Sequence, residues 1–77
     1  MVIAKARISS TDLLWVFQER LASFDGRFKR APIAIVPNNG GWRAVKSPGY
    51  TLGEPQLSRR IQQVQAELEP IYRLTRD

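Results

Sequence analysis

The apolar residues between positions 10 and 24 recur at the period of an α-helix. Those spaced by three or four residues form one stripe along the predicted helix; they are Leu14, Phe17, Leu21 and Phe24. Ser9 suits the N-cap because its hydroxyl can accept a hydrogen bond from a first-turn N–H group, and Gly26 suits a left-handed cap after the last turn. We therefore predict a helix over residues 10–24, with Trp15 away from the centre of its buried face.

A second pattern, between residues 32 and 46, predicts a β-hairpin. Two short apolar runs flank Asn39-Gly40, and an Asn-Gly pair accepts the positive φ angles of a two-residue type I′ turn. This loop sets Val36 opposite Arg43 and leaves one face of the hairpin suited to the core. That face consists of Ile33, Ile35, Trp42 and Ala44. Prolines at both ends of the first run indicate either an edge strand or the ends of the strand.

The helical spacing returns after position 55 and predicts a second helix over residues 55–69. Its apolar stripe consists of Leu57, Ile61, Val64 and Leu68. Pro55 suits the first turn, where its missing N–H removes no hydrogen bond. Pro70 must kink or break the helix, and the apolar spacing beyond it predicts a short helical continuation up to residue 75.

Residues 1–8 have apolar side chains at every second position, which indicates either a half-buried strand or an ordinary frayed terminus. The element order is then (β)-α-β-β-α within one small domain over residues 1–77. We predict the α+β class, with two helices packed on one face of a small antiparallel β-hairpin. No apolar run approaches the ~20 residues of a membrane helix, and we expect no membrane partner. The absence of Cys fits a reducing interior and also many exported proteins, so the cytoplasm is the default location.

The composition excludes several kinds of chemistry. The chain of 77 residues contains no Cys and no His, which excludes disulfides, thiol nucleophiles, Cys/His zinc sites and imidazole acid–base catalysis. The carboxylates also lack a pair suited to acid–base or metal chemistry, since Glu67 and Glu69 point to different sides of the predicted helix. We therefore expect a protein that is not an enzyme and that uses neither a metal nor a cofactor.

The charge pattern suggests an anionic partner instead. Twelve Lys and Arg against seven Asp and Glu give a net charge of +5, and the surplus lies within residues 1–50. Localised positive charge attracts nucleic acid, whose phosphates accept arginine hydrogen bonds and whose bases stack on aromatic rings. The hypothetical nucleic-acid-binding residues are Lys5, Arg7, Arg27, Phe28, Lys29, Arg30, Arg43 and Lys46.

The nucleic-acid hypothesis requires these residues to share one exposed surface. If the first strand pairs with the hairpin, Lys5, Arg7 and Arg43 lie together on the outer face of the sheet. The alternative interpretation is a basic surface that only keeps the protein in solution.

A second functional hypothesis is binding to a protein partner, or to a second copy of the chain, through the helix faces. Trp15 lies near the surface of the first helix, and aromatic residues are enriched at protein interfaces. The residues of this hypothetical interface are Trp15, Arg59, Arg60 and Tyr72. Small domains with limited cores also gain stability from self-association.

Overall fold

The computed structural model describes residues 5–38 and 40–75. Its strands and α-helices are β1 (Ala6–Ile8), α1 (Ser10–Phe24), β2 (Ile33–Asn38), β3 (Gly41–Lys46), α2 (Gln56–Leu68) and β4 (Tyr72–Leu74). The predicted α+β class and its order are confirmed, and β4 adds a strand that the sequence pattern did not predict. Residues 1–4 of the predicted first strand and Asn39 of the predicted turn lie outside the described ranges.

Helix α1 has the predicted bounds, and Ser9 is its N-cap: the Ser9 hydroxyl accepts from the N–H of Asp12 at 3.1 Å. The buried stripe, however, is centred one position away from the predicted one. Leu13 is fully buried together with Phe17 and Leu21, whereas Phe24 is 38% exposed. The buried face of α1 is therefore rotated slightly about the helix axis from the predicted face, because the hairpin and α2 both pack against the helix.

The end of α1 differs from the prediction. Gly26 does not adopt a left-handed cap; it begins a short 3-10 helix, Gly26–Arg30. Asp25 ends α1 instead, with extended backbone angles (φ −157°, ψ 122°), and its carboxylate accepts from the N–H of Arg27 at 3.0 Å. A carboxylate that caps the next helix replaces the need for a positive φ angle here. The 3-10 helix then directs Phe28 into the core.

The β2–β3 hairpin has the predicted register, with Val36 opposite Arg43 and the strands joined by a two-residue loop. Gly40 in this loop has a φ of +81°, as the turn prediction requires. The inner face is the predicted one: Ile33, Trp42 and Ala44 are buried. Alternation of side chains along each strand leaves the opposite face of the hairpin exposed.

The second edge of β3 is partly covered by α2, and the Trp42 side chain of β3 contacts β4. At every second residue the main chain of β3 points its polar groups away from β2. Gln65 of α2 satisfies two of them: its Oε1 accepts from the Ala44 N–H at 3.2 Å, and its Nε2 donates to the Trp42 carbonyl at 3.4 Å. The Trp42 indole N–H donates in turn to the Tyr72 carbonyl at 3.2 Å. These contacts join the hairpin to the C-terminal part of the chain.

The segment after Pro70 is a strand, so the predicted helical continuation to residue 75 is wrong. Helix α2 ends at Leu68, one residue before the predicted end, and the chain turns through residues 69–71. Strand β4 then pairs in parallel with β1. The first strand therefore exists within the described residues, but it pairs with β4 and not with the hairpin. Pro70 cannot continue the hydrogen bonding of α2, and β1 offers β4 an alternative set of partners.

The core lies between the inner face of the hairpin and the two helices. Its buried members are Leu13, Phe17, Leu21, Phe28, Ala31, Ile33, Trp42, Ala44, Leu57, Ile61, Val64 and Leu68. Phe17 and Trp42 meet edge to face, with ring centroids 6.3 Å apart and ring planes at 83°, an arrangement that the ring quadrupoles favour. Across residues 5–38 and 40–75, no helix has both the length and the apolar character that a bilayer crossing requires.

Gly53 and Gly49 lie in the loop before α2 and differ in how closely they approach the core. Gly53 has a φ of +80°, and a Cβ added there would lie 2.7 Å from Cε1 of Phe28, whereas Gly49 has a φ of +84° in open space. We expect Gly53→Ala to lower the free energy of unfolding by about 2–4 kcal/mol, from backbone strain and displacement of the ring. Gly49→Ala carries the backbone strain alone and should cost about 1–2 kcal/mol. Urea denaturation followed by tryptophan fluorescence measures both, and equal losses would contradict the close contact.

Candidate anion-binding groove

Arg27 and Phe28, two members of the predicted nucleic-acid site, have structural roles at the end of α1. The Nη2 of Arg27 lies 2.8 Å from Oδ2 of Asp25. The side-chain hydrogen bond from Arg27, followed by its N–H, lowers the pKa of the Asp25 carboxyl, and Asp25 raises the pKa of the Arg27 guanidinium. Phe28 is only 4% exposed, so its ring does not offer a surface on which a base can stack.

Lys46 is held by a polar cluster between β3 and α2. Its Nζ lies 3.1 Å from Oε1 of Glu54 and also donates to the Tyr50 carbonyl. Ser58 donates to both Glu54 oxygens, at 2.9 and 2.7 Å. The hydrogen bond from Ser58 is the main cause of a lowered pKa at Glu54, with Lys46 adding to it and desolvation opposing it. Lys46 thus anchors the loop before α2, and its charge is compensated by Glu54.

The structure does not bring the predicted basic residues to one surface. Lys29 lies 3.6 Å from Glu19 in an exposed ion pair, which contributes little stability but reduces the local positive field. Arg30 and Arg43 are exposed and form no ion pair within the described part of the chain. Arg43 borders a hollow between β3 and α2, whereas Arg7 borders a different groove. The set is therefore divided among several places on the molecule.

One groove instead brings together Arg7, which the sequence hypothesis contained, and Arg73, which it missed. The parallel pairing of β1 and β4 sets Arg7 directly beside Arg73, so both side chains leave the same face of the strand pair. The neighbouring residues Ile8, Tyr72 and Leu74 pack against the core, and Leu74 also lines the groove. Both arginines are exposed, and neither forms an ion pair with a described carboxylate.

Lys5 has the same parity as Arg7 along the chain, just ahead of β1, and is also exposed. By strand alternation it belongs to the same outer face. It does not line the groove itself. Of the predicted basic residues, Lys5 and Arg7 are thus the two that the β1–β4 pair places together.

A signal for Arg73 is present in the sequence. Tyr72-Arg73-Leu74 has the same apolar–basic–apolar alternation as Ala6-Arg7-Ile8, which is typical of a strand with one basic face. The apolar residues beyond Pro70 also fit the helical spacing of the preceding stripe, and this spacing concealed the alternation.

The groove has a volume of about 910 Å³ and is open to solvent. Its walls come from β1 and β4, from Ser10 at the start of α1, and from the hairpin end at Asn38, Gly40 and Gly41. No acidic side chain lines it among the residues that the structure describes. Two like charges directly opposite each other on neighbouring strands repel. An anion between the guanidinium groups would remove this repulsion and accept charge-assisted hydrogen bonds from both.

The residues of the predicted protein interface lie at separate places. Trp15 is 64% exposed on α1, but Phe24, nine positions later, lies on the opposite side of the helix. Arg60 is stacked over Phe24, with its Cζ 4.3 Å from the ring centroid, and so lies away from Trp15. Arg59 is exposed on α2, and Tyr72 is half-buried on β4. Trp15 is thus the strongest single feature of this hypothesis.

No protein-family model, curated protein or solved structure matches this chain. Function is therefore inferred from the residues that the fold brings together, of which the Arg7–Arg73 pair is the clearest set with potential ligand chemistry.

The cluster around Glu54 should make stability depend on acidic pH. Because the pKa of the Glu54 carboxyl is lower in the folded chain than in the unfolded chain, its contribution to stability is complete above the unfolded-state pKa. That contribution is lost as the pH falls through the folded-state value. We expect Glu54→Gln to lower the urea midpoint more at about pH 7 than at about pH 3.

The matched control for this experiment is Glu69→Gln, which removes an exposed carboxylate next to the other end of α2. Both variants change the net charge equally, so any difference between them reports the local contacts of Glu54. A Glu54→Gln effect of the same size at both pH values would contradict the role of its ionised form.

Proposed function

We propose that this chain is a small, non-catalytic binding module for anionic ligands, with nucleic-acid phosphates as the preferred class. The observation that carries the proposal is the in-register pair Arg7 and Arg73 beside a groove without described acidic side chains. Arginine forks match the geometry of phosphate oxygens, and each fork can donate two hydrogen bonds to one phosphate.

The overall charge supports the same ligand class. A net charge of +5 attracts polyanions over long distances, and the local pairing of Arg27 and Lys46 with carboxylates leaves the Arg7–Arg73 groove as a focus of that field. The absence of Cys and His from the sequence favours binding over catalysis. A cytoplasmic location, as expected from the sequence, is part of this proposal.

A second proposal, association with a protein or with another copy of the chain, is favoured by one observation. Trp15 is a large aromatic residue that is 64% exposed, and such residues often contribute most of the binding energy at interfaces. Thr11, Asp12 and Glu19, its neighbours one turn away on the helix, are also exposed. An apolar centre with a polar surround is typical of an interface patch.

Fluorescence anisotropy with labelled single-stranded and duplex oligonucleotides tests the nucleic-acid proposal. We expect binding at low salt, with an affinity that falls steeply as the salt concentration rises. Arg73→Gln should weaken binding to all sequences and reduce the log–log salt slope by about one. Arg59→Gln removes the same charge from exposed α2 and should have a much smaller effect. No binding at low salt, or equal losses in the two variants, would contradict the proposal.

Light scattering after size exclusion tests self-association. If the Trp15 patch joins two copies, the measured mass will rise with protein concentration, and Trp15→Glu will abolish the rise. Leu52→Glu replaces another exposed apolar residue, 59% exposed in the loop before α2, and should leave the mass unchanged. A monomer at every concentration would exclude self-association.

A further inference from the structure

We infer that the Arg7–Arg73 groove binds the terminal phosphate monoester of a nucleic-acid strand in preference to an internal phosphodiester. This inference rests on the proposed function and specifies its ligand. It follows from which residues supply the positive charge of the groove, from the charge and oxygen count of the two kinds of phosphate, and from the side chains that line the groove.

Among the described residues, the positive charge of the groove comes from Arg7 and Arg73, because Lys5, which by alternation shares their face, does not line the groove. Arg7 and Arg73 leave adjacent strands whose Cα atoms are about 4.8 Å apart, so both guanidinium groups can reach the same phosphate. Arg27 is paired with Asp25 and Lys46 with Glu54, and Arg43 borders another hollow. A strand that binds along its phosphodiester backbone needs cations near successive phosphates, whereas a single terminal phosphate needs only one pair.

The terminal phosphate also matches the two arginines better in charge and in hydrogen bonding. A monoester carries a charge of about −1.5 to −2 at neutral pH and three strong acceptor oxygens. An internal phosphodiester carries one negative charge, and only its two non-bridging oxygens remain as strong acceptors. The monoester can therefore balance both positive charges and accept hydrogen bonds from both guanidinium groups more fully than the phosphodiester can.

The side chains that line the groove favour recognition of the phosphate itself. The start of α1 at Ser10 and the hairpin end at Asn38 and Gly41 border the arginine pair. No aromatic side chain lines the groove in the described ranges, so bases lack a stacking partner there and recognition falls on the phosphate itself.

Oligonucleotides of one sequence that differ only at their ends test this inference. One arm compares a 5′-phosphate with a 5′-hydroxyl, labelled at the 3′ end; the other compares a 3′-phosphate with a 3′-hydroxyl, labelled at the 5′ end. We expect at least one kind of phosphorylated end to bind about tenfold more tightly or better, since charge-assisted hydrogen bonds are among the stronger ones. The arm that shows the preference identifies which end of the strand is bound.

Variants of Arg73 and Arg59 test whether the groove causes the preference for a phosphorylated end. Arg73→Gln should reduce the ratio of the two affinities to about one, and Arg59→Gln should keep it. Arg73→Lys keeps the charge but loses the fork, and it should retain only part of the preference; it also serves if Arg73→Gln does not fold. A preference that persists in Arg73→Gln would overturn the assignment.

The outcomes separate the inference from the proposed function. Equal binding of phosphorylated and hydroxyl ends would overturn the terminal-phosphate inference and leave the nucleic-acid proposal standing. No binding of any oligonucleotide at low salt would overturn both.

Discussion

The parallel pairing of β1 with β4 is the contact on which the candidate site depends. The Ala6 N–H donates to the Ile71 carbonyl, and the Thr75 N–H donates to the Ile8 carbonyl, each at 2.9 Å. These bonds join segments from the two ends of the sequence and set Arg7 beside Arg73. The strands are short, so burial of their inner side chains against the core must stabilise a pairing that the charge repulsion on the outer face opposes.

Electrostatic pairing determines how the positive charge of the molecule is displayed. Asp25 compensates Arg27, and Glu54 compensates Lys46, and both carboxylates serve the fold by fixing a loop between elements. The net charge of +5 is therefore not a uniform basic surface. Groups that hold a loop in place are poorly suited to contact a ligand, since a ligand would have to compete with a partner that is already in position.

The candidate site could be predicted from the sequence only in part. The sequence analysis includes Arg7 because the alternation of apolar and polar residues around it is visible locally. It does not include Arg73, because the apolar residues beside Arg73 also fit the helical spacing of α2. Phe28 was assigned to the surface from its basic neighbours, but the cap at Asp25 turns its ring into the core. The sequence shows which residues are charged, but it does not show which acidic side chain lies beside a given basic side chain in the folded chain.

The sequence by itself determined the features that depend on near neighbours: the bounds of α1 with Ser9 as its cap, and the hairpin with its register and inner face. Hydrogen bonds and side-chain alternation over a few residues are sufficient for these, because the partners are close along the chain. Only the tertiary structure decided that residues 72–74 form a strand and that β1 pairs with it. That choice depends on contacts between residues more than sixty positions apart, where a local pattern carries no information on the partner and the packing of the whole core selects it.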